Sequence, residues 1–373
     1  MRLNNIICRA CSYPLPRSLL APTQLIADRA PELTCPSRRS HCLDDMLALS
    51  VFLDSLIDYA GLFPPAKLPM VEAVRNHASY LRSARAPFLG RFIVPSARLA
   101  EFETAYSQLA DDEKSGWRLS LLALPGDWPG QTPGGQLSRS EDCVTDPGQT
   151  AASNGKSATV PALAPAAATL LAFNQRHPGA RIDAVEAKAS LPAEVAAISA
   201  AFPASLEMWI EIPSTADPAP LIESIKAAGR GAKIRTGGVT LDAFPPAADI
   251  ARFLAGCHGA GVVCKATAGL HHPLRAEYRL TDESDSPSGP MFGFLNVFLA
   301  ATLIHTGGTA AEVTALLVDG QAENFSCAPD ALGWRRHRFS ADQLSSSRRA
   351  LCRSFGSCSF TEPLDGLQKL HWL

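Results

Sequence analysis

The sequence predicts an α/β protein, a (β/α)8 TIM barrel, and three observations lead there. Short β-like apolar runs alternate with helical patterns along the chain, which is the signature of parallel βαβ units. Eight such runs can be placed, the number that closes a barrel. Hydrophobic residues make up 46% of the 373 and charged residues 19%, so a substantial core is available and global disorder is excluded. Length alone allows one large barrel or two average domains, and the repeated alternation favours the barrel.

The runs span residues 56–60, 91–95, 118–124, 181–188, 207–213, 232–236, 261–268 and 354–360. Helical stretches fit between most of them, at 70–83, 193–201, 218–228 and 247–257. Residues 1–45 carry Cys8, Cys11, Cys35 and Cys42 with several Arg and Pro and no sustained hydrophobic period. They read as a poorly ordered extension ahead of a barrel domain at 46–373. The Cys8-x-x-Cys11 pair would need Cys35 with His41 or Cys42 to hold zinc, and that second pair lacks compact ligand spacing. The same segment is compatible with a targeting peptide, and equally with a stretch translated ahead of a start at Met46. Residues 126–165, rich in Gly, Pro, Ser, Thr and Ala, cannot repay the entropy of ordering and read as a flexible insertion. Residues 273–349 form a second, partly helical insertion. Its helix at 291–305 is apolar on nearly all sides, suited to an oligomer seam or a lid.

Several function classes recede on composition. Lys and Arg total 34 against 36 Asp and Glu, a formal net charge of -2, so no broad attraction to nucleic acid or an anionic membrane follows. The longest apolar stretch, 292–304, contains Asn296 and falls short of the about 20 residues a bilayer span needs. Most of the ten cysteines stand singly in apolar segments, as reduced thiols do, which favours the cytoplasm. The expected partner is a small molecule.

In such a barrel, side chains at the carboxyl ends of the strands converge on one mouth. The polar residues expected there are Asp58, Asp183, Glu186, Lys188, Glu211, Lys233, Arg235, Lys265 and Thr267. Charges in that setting are costly unless paired or functional. Alternation along the strands puts Lys233 on the face of Arg235, and Lys265 on the face of Thr267, so strands six and seven offer two lysines to one cavity. Close ammonium groups repel, which lowers the pKa of at least one and leaves an amine able to attack a carbonyl. The alternative is an ion pair of one lysine with Glu211 or Asp183. The segments after strands six to eight, Thr236-Gly237-Gly238, Ala268-Gly269-Leu270 and Gly356-Ser357-Cys358-Ser359, have small residues that let backbone N–H groups approach an anion, or that simply make tight turns.

The order Lys233-Ile-Arg-Thr-Gly, Lys265-Ala-Thr-Ala-Gly and Ser354-Phe-Gly-Ser-Cys-Ser resembles the deoxyribose-phosphate aldolase family of class I aldolases. Ile57-Asp58-Tyr59, Arg181-Ile-Asp183-Ala-Val and Trp209-Ile-Glu211-Ile are similar to that family's first, fourth and fifth strands. The resemblance covers residues 53–360 apart from the insertions. It implies a Schiff base on Lys233, a neighbouring charge from Lys265, a proton relay at Asp183 and a phosphate seat at Gly356 to Ser359, with no metal or cofactor. Glu211 is a second candidate for the proton. Two departures point to a different pocket: Arg235 replaces a small residue beside the Schiff-base position, and His271 and His272 follow the seventh strand where the family has a short glycine loop. Arg235 could clamp a carboxylate or phosphate, and Lys188 is a competing amine.

The reading is therefore a lyase acting through a lysine Schiff base on a small, phosphorylated or carboxylated carbonyl metabolite. Substrate-binding residues are expected among Arg235, Thr236, Gly237, Gly238, Thr267, Gly269, His271, His272, Gly356, Ser357 and Ser359. Two alternatives stay open. One is metal-assisted chemistry with His271 and His272 joined by Glu211, Asp183 or His305, although adjacent histidines usually point apart. The other is a barrel that binds a phosphorylated metabolite or a protein partner without catalysis.

Overall fold

The computed structural model describes residues 46–123, 164–281 and 283–373. The extension at 1–45 and nearly all of the insertion at 126–165 lie outside the described residues. From the start, the described elements are α1 (Leu47–Leu53), β1 (Ile57–Tyr59), α2 (Met70–Leu81), β2 (Leu89–Pro95), α3 (Leu99–Ser107), β3 (Trp117–Leu122), α4 (Ala164–Arg176) and β4 (Ala180–Lys188). There follow α5 (Pro192–Ala200), β5 (Glu207–Glu211), α6 (Ala219–Ala227), β6 (Gly231–Arg235), α7 (Ala247–Ala260) and β7 (Cys264–Thr267). The last stretch holds β8 (Ala276–Arg279), β9 (Ser288–Met291), α8 (Phe294–His305), α9 (Ala310–Val318), β10 (Phe325–Ala328), β11 (Ala331–Trp334), β12 (His337–Ser340), α10 (Ala341–Ala350), β13 (Cys352–Ser357) and α11 (Thr361–Lys369).

Eight strands close a barrel in the order β1-β13-β7-β6-β5-β4-β3-β2, and every pairing in it is parallel. All eight predicted runs supply one of these strands. Parallel strands are covered on both faces, so they are apolar nearly throughout: β2 is buried from Leu89 to Val94. The helices turn one stripe inward. In α2, Met70, Ala73, Val74, His77 and Ala78 are buried, the spacing of a single helical face. Gly261 then ends α7 in the left-handed region at φ 69°, where a glycine lets the chain turn into β7.

The stretch at 273–349 contains the crossover from β7 to β13. Ten of the twelve residues of α8 are buried, Phe294 through Leu303. Phe294 stacks on Phe355 of β13 at 5.5 Å between ring centroids, and Phe298 meets Phe52 of α1 edge-on at 6.2 Å. The all-round apolarity of α8 is thus used inside this chain, by the barrel on one side and by α9 and α10 on the other. An oligomer seam or a lid is not needed to explain it. Around this helix lie a two-stranded hairpin, β8 with β9, and a three-stranded sheet, β10-β11-β12. Among the described residues no helix is long and apolar enough to cross a membrane, and the five described cysteines are free.

Candidate active site

The barrel interior contains a chain of alternating charges. Lys265 Nζ donates to Asp58 Oδ2 at 2.6 Å and to Glu186 Oε1 at 2.7 Å. Lys233 Nζ lies 2.7 Å from Glu186 Oε2 and 2.8 Å from Glu211 Oε2. Glu211 Oε1 in turn faces Lys188 at 3.3 Å and Arg235 at 3.5 Å. The order is Asp58, Lys265, Glu186, Lys233, Glu211, then two half-exposed cations at the carboxyl ends of β4 and β6. Register accounts for it: Lys188 pairs with Glu211, Glu211 with Lys233, and Lys233 with Lys265 across four neighbouring strands. Partners across a parallel ladder point to the same face of the sheet.

Neutral groups complete the shell. Ser354 Oγ donates to Asp58 Oδ2 at 2.8 Å, Ser120 Oγ donates to Glu186 Oε1 at 2.9 Å, and the Arg91 backbone N–H donates to Asp58 Oδ1 at 2.7 Å. The Asp58 carboxylate lies so close to β2 that a Cβ at Gly90 would fall 2.2 Å from Oδ1. Only glycine leaves room for that approach.

The two lysines are held differently. Both contacts of Lys265 are aligned hydrogen bonds. Those of Lys233 are ion pairs by distance, but neither Glu186 Oε2 nor Glu211 Oε2 receives an aligned hydrogen bond. Lys265 is pinned and fully buried, and Lys233 is the looser cation, with its side chain 5% exposed. Burial disfavours the charge on Lys233, yet the attraction of Glu186 and Glu211 outweighs it and raises the pKa above the ordinary lysine value. Burial would also raise the two carboxylates. The lysines overcome this, taking Glu186 well below the usual range and Glu211 down to about 2. The expectation of a lysine made neutral by its neighbour is therefore corrected: a shared carboxylate stands between the two ammonium groups and screens their repulsion.

Asp183 is not part of this chain. It accepts from Arg91 Nε at 2.5 Å and from Arg118 Nε at 2.8 Å. Arg91 also pairs with Glu207, which Arg353 reaches at 2.8 Å. These residues lie toward the amino-terminal ends of the strands, so Asp183 does not sit where a proton relay to Lys233 would be. The cause is local: the β3–β4 register shifts between Ile182 and Ala184, and a bulge of this kind re-aims the side chains on either side of it. Glu186 occupies the central position instead. Sequence reasoning placed Glu186 and Asp58 among the strand-end charges but gave neither a role. A glutamate between Val185 and Ala187 in a buried strand was the available signal.

The predicted binding residues divide. Thr236 Oγ1 donates to Ala268 O at 2.5 Å and ties the loops after β6 and β7 together. In those loops a Cβ at Gly237 would fall 3.0 Å from the Gly269 Cα, and Gly238 follows directly. Thr267 Oγ1 would lie 3.2 Å from a Cβ at Gly356. Ala268 and Gly269 both have positive φ, 60° and 75°. Ser357 Oγ accepts from the Ser359 N–H at 3.3 Å, and Ser359 Oγ accepts from the Glu362 N–H at 3.1 Å, so these hydroxyls shape the entry into α11. His271 and His272 both face Glu362, at 3.3 and 3.8 Å. His305 contacts Ser346 at 2.8 Å and stacks edge-on with His258. It does not join His271, and no group of three or more His, Cys, Asp or Glu able to hold a metal exists among the described residues. Compared with family models, curated proteins and solved structures, the chain matches none of them.

Proposed function

We propose that this barrel is a class I aldolase-like carbon–carbon lyase in which Lys233 forms a Schiff base with a small, phosphorylated or carboxylated carbonyl metabolite. The observation that carries the reading is the placement of the Lys233 ammonium between Glu186 and Glu211, beside a second lysine on the same interior face. Lys233 passes a proton to Glu211, its neighbour at 2.8 Å, and the amine adds to the carbonyl carbon. Glu211 returns that proton to the former carbonyl oxygen, the attacking nitrogen gives it a second proton, and the oxygen leaves as water. The iminium that remains carries one positive charge, where the ammonium had been. Glu186 and Glu211 are thus already arranged for it, with little reorganisation. Glu211, ionised again, then takes the proton of the substrate hydroxyl as the carbon–carbon bond breaks toward the iminium. Arg235 and the loops after β6, β7 and β13 suit an anionic substituent at the mouth.

The unfavourable step is release of the first proton, because the carboxylates favour the ammonium. Because that proton moves to Glu211 and is used again, turnover limited by this step should be flat with pH through neutrality and change only as the raised Lys233 pKa is approached. The same raised value favours one second reading, a barrel that binds an anionic metabolite without turning it over. Reductive trapping separates the two. Borohydride with a panel of phosphorylated and carboxylated aldehydes and ketones should leave a reduced adduct on Lys233, found by peptide mapping. Binding without an adduct at any lysine selects the second reading, and an adduct on Lys188 moves the nucleophile there.

A further inference from the structure

Outside the lysine chain, a second cluster among the described residues sets a nucleophile beside an imidazole and a carboxylate. Cys358 follows the last residue of β13, and its Sγ lies 3.7 Å from His271 Nδ1. The same nitrogen lies 3.3 Å from Glu362 Oε2, at the start of α11. Burial opposes a charge on His271, but its contacts with Cys358 and Glu362 prevail and push it up to about 10. His271 is then an imidazolium at neutral pH, with its Nδ1 proton directed between a sulfur and a carboxylate. The other groups facing this cluster are His272, which burial lowers to about 4, Lys369 beyond Glu362, and the phenol of Tyr59 beside Cys358.

No other described thiol has an imidazolium partner, although Cys352 lies near the Arg348 guanidinium. Cys264 is hydrogen-bonded to Cys257 and Cys352 inside the core, and these contacts with burial raise it well above an ordinary thiol. Cys327 is raised to about 11 by burial. A thiol becomes a nucleophile as the thiolate, which a neighbouring imidazolium favours.

We propose that Cys358, His271 and Glu362 form a peroxide-reactive thiol site at the mouth of the barrel, a place of reversible oxidation. The Cys358 sulfur attacks the terminal oxygen of a hydroperoxide and the O–O bond breaks. Its electron pair goes to the leaving oxygen, which takes the Nδ1 proton of His271. Sulfur is oxidised to the sulfenic acid and the hydroperoxide is reduced to the alcohol or, from hydrogen peroxide, to water. Glu362, with its side chain 43% exposed, marks the side from which solvent reaches the cluster.

The test uses the full chain. Carbamidomethylation by iodoacetamide is followed at each cysteine between pH 5.5 and 9, and hydrogen peroxide treatment is followed by dimedone labelling. An ordinary thiol is only about 0.3% thiolate at pH 6 and its rate climbs about tenfold per pH unit. The site predicts an alkylation rate at Cys358 at pH 6 at least about tenfold above that of Cys327, and dimedone on Cys358 before the other described thiols. His271→Gln should remove that advantage at Cys358 and leave Cys327 unchanged. A Cys358 that reacts no faster than Cys327 at pH 6 in the unaltered chain overturns the proposal whatever the variant does, and so does a Cys358 that neither reagent labels.

Discussion

Two charged clusters occupy the two ends of one barrel, and they are built from different cations. Toward the amino-terminal end, Arg91, Arg118 and Arg353 hold Asp183 and Glu207. Toward the carboxyl end, Lys265 and Lys233 hold Asp58, Glu186 and Glu211. Trp209, buried between Glu207 and Glu211 on the same face of β5, separates the two. Arginine keeps its proton under all ordinary conditions and braces two carboxylates at once, while a lysine can give its proton up. The amino-terminal cluster is therefore a brace. Only the carboxyl-terminal one contains a cation that can become a nucleophile. Conserving charge alternation at both ends gives a stable interior, and the choice of cation decides which end can do chemistry.

The strongest way to break this contrast is Lys265→Met. It leaves Asp58 and Glu186 buried without their shared cation, and removing one partner of a buried pair costs about 3–5 kcal/mol. Urea unfolding should show a loss of that size. The freed attraction of Glu186 should also hold the Lys233 proton more tightly and move the alkaline shoulder of any trapping rate upward. A variant as stable as the parent would mean that Lys265 is not needed to balance the two carboxylates.

Acid should find the lysine chain next. The folded pKa values of Glu186 and Glu211 lie below the ordinary 4.5, so their contribution to stability is complete above that value and is lost as pH falls toward 2. A plot of unfolding free energy against pH should bend downward in that window, and Glu211→Gln should flatten part of the bend. An unchanged acid limb in that variant would show that Glu211 is not held ionised by its neighbours.

Asp183→Asn probes the brace. Losing a charged acceptor shared by Arg91 and Arg118 should cost about 1–3 kcal/mol, visible as a lower urea midpoint. Lysine trapping per folded molecule should stay near that of the parent. A hundredfold loss of trapping with full stability would return Asp183 to the proton relay that its motif implied.

Legibility followed the same division. The eight strands were readable because buried parallel strands leave short apolar runs between turn signals, and β2 or β5 could scarcely be anything else. Lys233 and Lys265 were readable from strand alternation alone, since both strands are regular across their shared register. Asp183 was misplaced because a one-residue shift in β4 breaks that alternation, and nothing in Arg181-Ile-Asp183-Ala-Val advertises a bulge. The charge state of Lys233 was misread for a related reason. Counting two lysines predicts repulsion, whereas the sign of the shift depends on Glu186, whose position between them is a property of three strands together. What α8 packs against was not readable, because its partners Phe52 and Phe355 lie far from it in sequence.

Lys188→Met is expected to have the smallest effect and sharpens the comparison within the lysine chain itself. Lys188 is half-exposed and meets Glu211 only at 3.3 Å, the kind of surface pair worth about 0–1 kcal/mol. Stability should change by no more than that. Glu211 keeps Lys233 at 2.8 Å and Arg235 at 3.5 Å, so its ionisation should survive as well. What the variant tests is identity: Lys188 and Lys233 flank the same carboxylate from outside and inside, and only the inner one has a second carboxylate, Glu186, to hold an iminium. Reductive trapping should therefore persist in Lys188→Met and vanish in Lys233→Met. The reverse pattern would place the nucleophile on the solvent side of Glu211 and leave the buried lysines as a brace like the one at the other end.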